Sequence, residues 1–308
     1  MAGIRGLGWA GAGLGCLVIL SFFGRAVWVF DLPASFRPQL SACALALASP
    51  ALFVKPRGPA LAGAGAAVLG LVAMVPHLVD TGPSIAEGSP TITVMSFNVG
   101  ISNPNRQEVA DYIGEVDPDV VFIFESSFEW EDAIRASDLP LQIVSIVPRG
   151  RLAGVTVLVN PDLRPGRIDV DLDGEVAAVS VDLGDRRVEV LGIHPFSPTT
   201  SIRAGARDRL LADAAGWIAG RPGEVVVVGD LNATPWSHAF TRLRIDGGLI
   251  DTLRGRGLQP SWPEGWGPLM IPIDHVLHTR GLASVGRRTG PALGSAHRPV
   301  VVEIGFAG

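Results

Sequence analysis

Apolar residues follow two regimes along this chain. Over roughly the first 80 positions they form long runs free of Asp, Glu, Lys and Arg, at residues 7–23, 40–54 and 59–79. Beyond residue 90 the runs are short, and several close on one polar residue. Crossing a bilayer takes about 20 apolar residues. The first and third runs are long enough; the second is shorter and reads as re-entrant, tilted or a buried core helix. Reading the first run as a cleaved signal peptide leaves the third in place, so membrane attachment stands either way. The pattern predicts a membrane region over 1–80 with two or three transmembrane helices. A Gly/Pro/Ser-rich linker follows over 81–90, then a globular domain over 91–308.

Inside the globular part the periodicities alternate. Asn103-Pro104 reads as N-cap and first helical residue, with Val109, Tyr112, Ile113 and Val116 at helical spacing and Asp117-Pro118 as the stop. Residues 203–218 form a second helical pattern, with Leu210, Leu211, Ala214 and Trp217 on one side, and 235–243 a short third. Strand patterns cover 155–159, 176–183, 187–193, 273–278, 282–287 and 299–306. Strands outnumber helices, and helices follow strands in both halves. That order fits two sheets packed face to face with helices outside.

The most informative stretch is Val225-Val226-Val227-Val228-Gly229-Asp230-Leu231-Asn232. A continuous apolar run reads as a strand buried on both faces. It delivers Asp230 and Asn232, two apart and so on one face, where the strand ends. G-D-x-N alone is equally an Asx-turn closing a strand. Five further motifs keep it company. Val94-Met95-Ser96-Phe97-Asn98 ends in an amide, and Val120-Val121-Phe122-Ile123-Phe124-Glu125 ends in a carboxylate. Leu191-Gly192-Ile193-His194 ends in an imidazole, and Ile273-Asp274-His275 and Ser295-Ala296-His297 close the set. A buried carboxylate without a partner is expensive, which singles out Glu125 and Asp230. His275 neighbours Asp274 and faces the other way in a strand, so it reads as a core histidine.

In this order the motifs resemble the endonuclease/exonuclease/phosphatase superfamily, the deoxyribonuclease I-like fold, over about residues 91–308. The resemblance implies an α/β four-layer sandwich whose strands from both sheets end at one site. It also implies that Glu125, helped by Asn98, holds Mg2+ or Mn2+, hard cations that suit oxygen ligands. Asp230 would orient and deprotonate the attacking water, steadied by Asn232. His297, oriented by Asp274, and His194 would contact phosphoryl oxygens. The family commonly ends its last motif S-D-H. Here Ala296 replaces that carboxylate, which argues for one metal ion, not two.

Charge and cysteine content narrow the partners. The net charge is −5, with no basic stretch to track a phosphate backbone, so nucleic acid is not expected as the main partner. Cys16 and Cys43 both lie in the apolar front, so the globular part holds no disulfide or zinc–thiolate site. Lys55 and Arg57 precede the third apolar run, and no Lys or Arg follows it until Arg106. By the positive-inside rule this places 80–308 outside the cytoplasm. The architecture resembles bacterial membrane proteins of this superfamily linked to glycopeptide-antibiotic resistance. The expected activity is hydrolysis of a phosphate or pyrophosphate ester, on a phosphorylated lipid carrier or another small phosphoester. Two tryptophans in the Trp262–Trp266 loop suit a head-group level. The alternatives are a nuclease, a sphingomyelinase-like phosphodiesterase, or a binding module that has lost turnover.

Overall fold

The computed structural model describes residues 2–79, 82–149 and 153–308. Among these residues twelve strands form two six-stranded sheets. In chain order they are β1 (Thr91–Asn98), β2 (Val120–Phe124), β3 (Gln142–Arg149), β4 (Ala153–Val159), β5 (Gly166–Ile168) and β6 (Glu175–Leu183). Then come β7 (Arg186–His194), β8 (Glu224–Asp230), β9 (Ile250–Asp251), β10 (Asp274–His278), β11 (Leu282–Thr289) and β12 (Val300–Phe306). The orders are β11-β12-β1-β2-β4-β3 and β5-β6-β7-β8-β10-β9.

The β1–β2 and β7–β8 pairs are parallel; every other described pairing is antiparallel. Parallel neighbours need a crossover, supplied by the helices Arg106–Val116 and Ser201–Ala219. Val94, Phe122, Val157, Val179, Val190, Val228 and Val302 meet between the sheets. Ile113, Trp130 and Ile134 cover the outer face of the first sheet, and Leu210, Leu211, Ala214 and Phe240 that of the second. The result is the expected helix–sheet–sheet–helix stack.

Among the described residues three long helices precede the domain, Ala2–Leu20, Arg37–Ala51 and Gly58–Val72, with two short ones, Asp31–Ser35 and Val75–Leu78, beside them. The long helices pack through small residues. Gly8, Gly11, Gly15, Ala44, Ala48, Gly63 and Ala67 are buried, while Leu17, Phe22, Leu61, Val68 and Val72 are exposed. A Cβ on Gly63 would lie 2.6 Å from the Gly11 carbonyl carbon, so only glycine allows this approach. Among the described residues one helix, Ala2–Phe23, is long and apolar enough to cross a membrane.

Three local expectations change. The third apolar run is broken into a helix over Gly58–Val72 and a short one over Val75–Leu78, because the chain turns at Ala73–Met74 ahead of Pro76. The fifteen residues of the first span about 22 Å, less than the roughly 30 Å of a hydrocarbon core. The helix expected at Pro104 begins at Arg106: the Asn103 side chain accepts from Asn105 N and donates to Leu293 O, joining that turn to the His297 loop. The linker is not free chain. Ala86 N donates to Phe306 O, Gly308 N donates to Ser84 O, and Ile85 bridges Ala307. Its first residue, Thr81, lies outside the described residues.

Candidate active site

Strand register assembles the site. In the antiparallel β8–β10 pair Asp230 lies opposite Asp274. In β6–β7 His194 lies opposite Glu175. In the parallel β1–β2 pair Asn98 lies beside Phe124, which puts Glu125 next to the Asn98 amide. Directly opposed residues bring their Cβ atoms within about 4.5–5.5 Å. Both sheets thus deliver polar side chains to one edge, where the apolar runs stop.

Asp230 is the hub. Its Oδ2 accepts from Asn98 Nδ2 at 3.1 Å and lies 3.5 Å from His194 Nε2 and 3.6 Å from His297 Nε2. Its Oδ1 accepts from Asn232 N at 3.0 Å, closing the Asx-turn. Asn98 Nδ2 also donates to Glu125 Oε1 at 3.1 Å. Each imidazole is held from behind: His194 Nδ1 by Glu175 Oε2 at 3.0 Å, His297 Nδ1 by Asp274 Oδ2 at 2.9 Å. Asn232 Nδ2 donates to Pro195 O, tying the β8 exit to the β7 exit. All seven residues expected at the site from sequence are therefore gathered in one place.

The backbone departs from ordinary strand geometry where these side chains emerge. Glu125 has φ 55° and Asn232 φ 48°, left-handed values that asparagine tolerates better than glutamate. Gly229 has φ 151°, and a Cβ there would lie 1.9 Å from Ile193 O. The glycine before Asp230 is thus what lets β8 close on β7 at the site.

Burial and charge set the protonation states. Burial alone pulls His194 down, but its bonds to Asp230 and Glu175 outweigh this and raise its pKa to about 10. His297 is likewise lowered by burial and lifted more by Asp274 and Asp230, to about 9. Burial pushes Asp230 up; the two imidazoles and the Asn232 N–H pull it further down, to about 2. Asp274 stays raised because burial and the neighbouring Asp230 oppose His297. At neutral pH two imidazolium groups therefore flank one firmly ionised carboxylate. His275 does face away, with Nε2 2.8 Å from Ala233 O and its ring against Phe240. Burial, aided by Arg287, lowers it to about 3, so it is a neutral core histidine.

A cleft of about 370 Å³ opens over this group, walled by Glu125, His194, Asp230, Asn232, Trp262 and His297. The donor set suits a hard divalent cation. Glu125 is the more exposed acid, with a third of its side chain accessible. Asp230, Asp274 and His297 bring ligand atoms within 4.8 Å of one another, and Asp274 Oδ1 is buried with no hydrogen-bond partner.

Sequence reading missed the supporting residues. Glu175 sits behind His194; the only local signal was a carboxylate opening an apolar strand after Asp173-Gly174. Ser261 Oγ accepts from the Ile273 and Asp274 N–H groups. Ser295 Oγ donates to Asn98 O and accepts from His297 N, linking the first motif to the last. Trp262 lines the cleft 6.3 Å from the His297 ring, whereas Trp266 is 60% exposed.

A sequence model of the Endonuclease/Exonuclease/phosphatase family matches residues 95–297, a span that contains all seven residues. Humanized D. rerio TDP2 is similar in structure, with TM-score 0.59 and 12% identity over 70% of this chain and 99% of its own. An endonuclease/exonuclease/phosphatase from Bacteroides vulgatus has TM-score 0.57 and 16% identity over 70% of this chain and 99% of its own. TDP2 from C. elegans has TM-score 0.56 and 16% identity, covering 89% of this chain and 94% of its own. At these identities the likeness is one of fold. No curated protein matches the chain.

Proposed function

The chain belongs to the Endonuclease/Exonuclease/phosphatase family, and from that premise we propose that it is a membrane-anchored, metal-dependent hydrolase of a phosphate or pyrophosphate ester on a lipid carrier. The observation that carries the chemistry is the Asp230 hub: one ionised carboxylate with two imidazolium groups and an amide on one oxygen.

Glu125 and Asn98 would hold the cation, Mg2+ or Mn2+. The cation would supply charge neutralisation at a phosphoryl oxygen. Asp230 orients the attacking water. As a weak base it accepts the proton late, as the new P–O bond forms. His297 and His194 present Nε2–H donors to the phosphoryl oxygens, where negative charge grows as the bond to the leaving oxygen breaks. Asp274 and Glu175 hold the two rings with Nε2 toward the cleft. Loss of such a group costs about 10²–10⁴-fold in rate.

Two features support the membrane and lipid part. Small residues inside and large apolar ones outside is the packing of helices in lipid, where tails solvate Leu and Val and backbones approach through glycine. Trp266 and Leu269 are exposed on the cleft-side loop that Gln39 Nε2 holds through Pro268 O and Met270 O. With the short Gly58–Val72 helix crossing a locally thinned bilayer beside Ala2–Phe23, Lys55 and Arg57 ahead of it and no Lys or Arg behind it until Arg106 favour a multi-pass protein with the catalytic domain outside the cytoplasm.

The test is hydrolysis by the full-length protein in detergent, with and without Mg2+ and Mn2+, of undecaprenyl pyrophosphate, bis-p-nitrophenyl phosphate and single-stranded DNA. Metal-dependent lipid turnover lost in Asp230→Ala supports the proposal. DNA cleavage without lipid turnover restores the nuclease, and no turnover of any substrate favours the binding module. An alkaline phosphatase fusion after Gly308 that is inactive, beside an active cytoplasmic reporter, would overturn the topology.

A further inference from the structure

A second cavity, of about 250 Å³, lies at the seam between the N-terminal helices and the α/β domain. It shares no lining residue with the catalytic cleft. Arg37 and His77 contribute from the helical side, and Trp236, Arg244, Asp251 and Arg254 from the domain.

The charges around it do not balance. Arg37 is 4% exposed, yet its guanidinium bonds only neutral oxygens, Ser21 Oγ and Ser21 O, both at 2.9 Å. The nearby acid, Asp31, is committed elsewhere: Oδ2 to Arg207 and Oδ1 to His238 N. Arg254 Nε reaches a backbone carbonyl, Pro76 O, at 3.4 Å. Arg244 makes no hydrogen bond or ion pair among the described residues. The acid on the wall, Asp251, spends Oδ1 on Leu253 N and forms no ion pair with any of the three. Burial pushes its carboxyl above the usual range, against the opposing pull of Arg287 and, more weakly, of Arg244 and Arg254, so one acid faces three guanidinium groups. A buried cation without a counter-charge is costly.

Two buried ring nitrogens also lack partners. Trp236 is 6% exposed, and its Nε1–H, which can only donate, is buried without a partner. His77 Nδ1 is buried without one too, and the two rings meet edge to face at 6.0 Å. Three guanidinium groups and an unpartnered indole N–H around one cavity match a tetrahedral oxyanion, which accepts several charge-assisted bonds at once.

We propose that this seam cavity binds the phosphate group of an anionic ligand. Arg37, Arg244 and Arg254 supply the counter-charge, and Trp236 Nε1 donates a hydrogen bond. The wall is built where the Gly58–Val72 helix ends and the Arg37–Ala51 helix begins. With the helices embedded as proposed above, that is head-group level, where phospholipid phosphates lie. Phosphate recognition itself does not depend on that placement.

The experiment measures thermal unfolding of delipidated full-length protein in detergent. Inorganic phosphate is titrated against chloride, and phosphatidylglycerol against phosphatidylcholine. The wild type and Arg244→Gln/Arg254→Gln are compared, each also with His297→Gln to weaken phosphate binding in the catalytic cleft. The expected result is a midpoint rise with phosphate or phosphatidylglycerol that persists in His297→Gln. Apparent affinity should fall at least about tenfold in Arg244→Gln/Arg254→Gln, while that variant hydrolyses bis-p-nitrophenyl phosphate at the wild-type rate. A response to phosphatidylglycerol alone identifies a lipid head group; a response to phosphate alone identifies a free anion. Trp236→Phe, which keeps the ring and removes the donor, should weaken the same response. An equal response in the arginine variant, or none in the wild type, overturns the proposal.

Discussion

Arg207 joins the N-terminal segment to the site through Asp31. Its Nη2 bonds Asp31 Oδ2 at 2.9 Å, and its Nη1 bonds the main-chain carbonyl of Asn232 at 3.0 Å. Both side chains of the pair are about 95% buried. Asp31 Oδ1 also accepts from His238 N, the first residue of the helix after the Asp230–Asn232 turn. A residue before the domain thus braces the turn that carries Asp230. Asp31→Ala should destabilise the protein by about 1–3 kcal/mol, because it removes the buried acid from a guanidinium that keeps only the more exposed Asp208 as its counter-charge. Asp31→Ala/Arg207→Met should lose less than Asp31→Ala alone. Denaturant unfolding of the double-mutant cycle checks this. If Asp31 also positions the turn, kcat of the folded Asp31→Asn protein should fall by more than KM changes; an unchanged kcat assigns Asp31 to stability alone.

The pH profile should follow His297. Its pKa is raised from the ordinary 6.5 to about 9, because Asp274 and Asp230 outweigh burial. A raised pKa means the imidazolium stabilises the fold fully below about pH 6.5, and that contribution is lost as pH climbs through about 9. Rate should fall over the same window as the donor is lost. In Asp274→Asn the alkaline limb should move to lower pH. Initial rates on bis-p-nitrophenyl phosphate from pH 6 to 10 test it, and an unmoved limb would remove Asp274 as the cause.

Glu125 holds its side chain in the cleft by a left-handed backbone, φ 55°. Such a conformation costs a residue other than glycine roughly 1–2 kcal/mol. Glu125→Gly should therefore unfold at a higher temperature than Glu125→Ala while both lose hydrolysis. Calorimetry beside an activity assay decides it, and equal melting points would show the strain is relaxed elsewhere.

Ala296 is exposed beside the cleft, with its carbonyl accepting from Glu264 N. With no carboxylate there, calorimetric titration of Mn2+ into the full-length protein should show one tight site. Ala296→Asp should add a second or tighten the first. Two sites of comparable affinity in the wild type would mean that Asp230, Asp274 and His297 hold an ion of their own.

These residues differ in how far the sequence shows them. Asp230, Glu125, Asn98 and His194 stand where an apolar run stops, so a local pattern exposes them. Glu175 stands at the start of a strand, and only the β6–β7 register sets it opposite His194. Asp31 lies 176 residues from Arg207, and no period or spacing links them. The helix expected at Pro104 starts later because Asn103 spends its side chain on Leu293, a bond to the far end of the chain. Polar partners chosen by tertiary register leave no trace in local hydrophobicity.

The stretch from Ser84 to Ala86 is stitched along the last strand, and Gln39 grips the loop of Pro268 and Met270. The domain is therefore mounted on its helices, not leashed to them. A leashed enzyme samples a volume set by tether length and meets substrates at many distances. A mounted one works at one height and one tilt. For an embedded bundle, only a bond presented at that height is within reach, so depth in the membrane becomes a selection criterion as real as chemical identity.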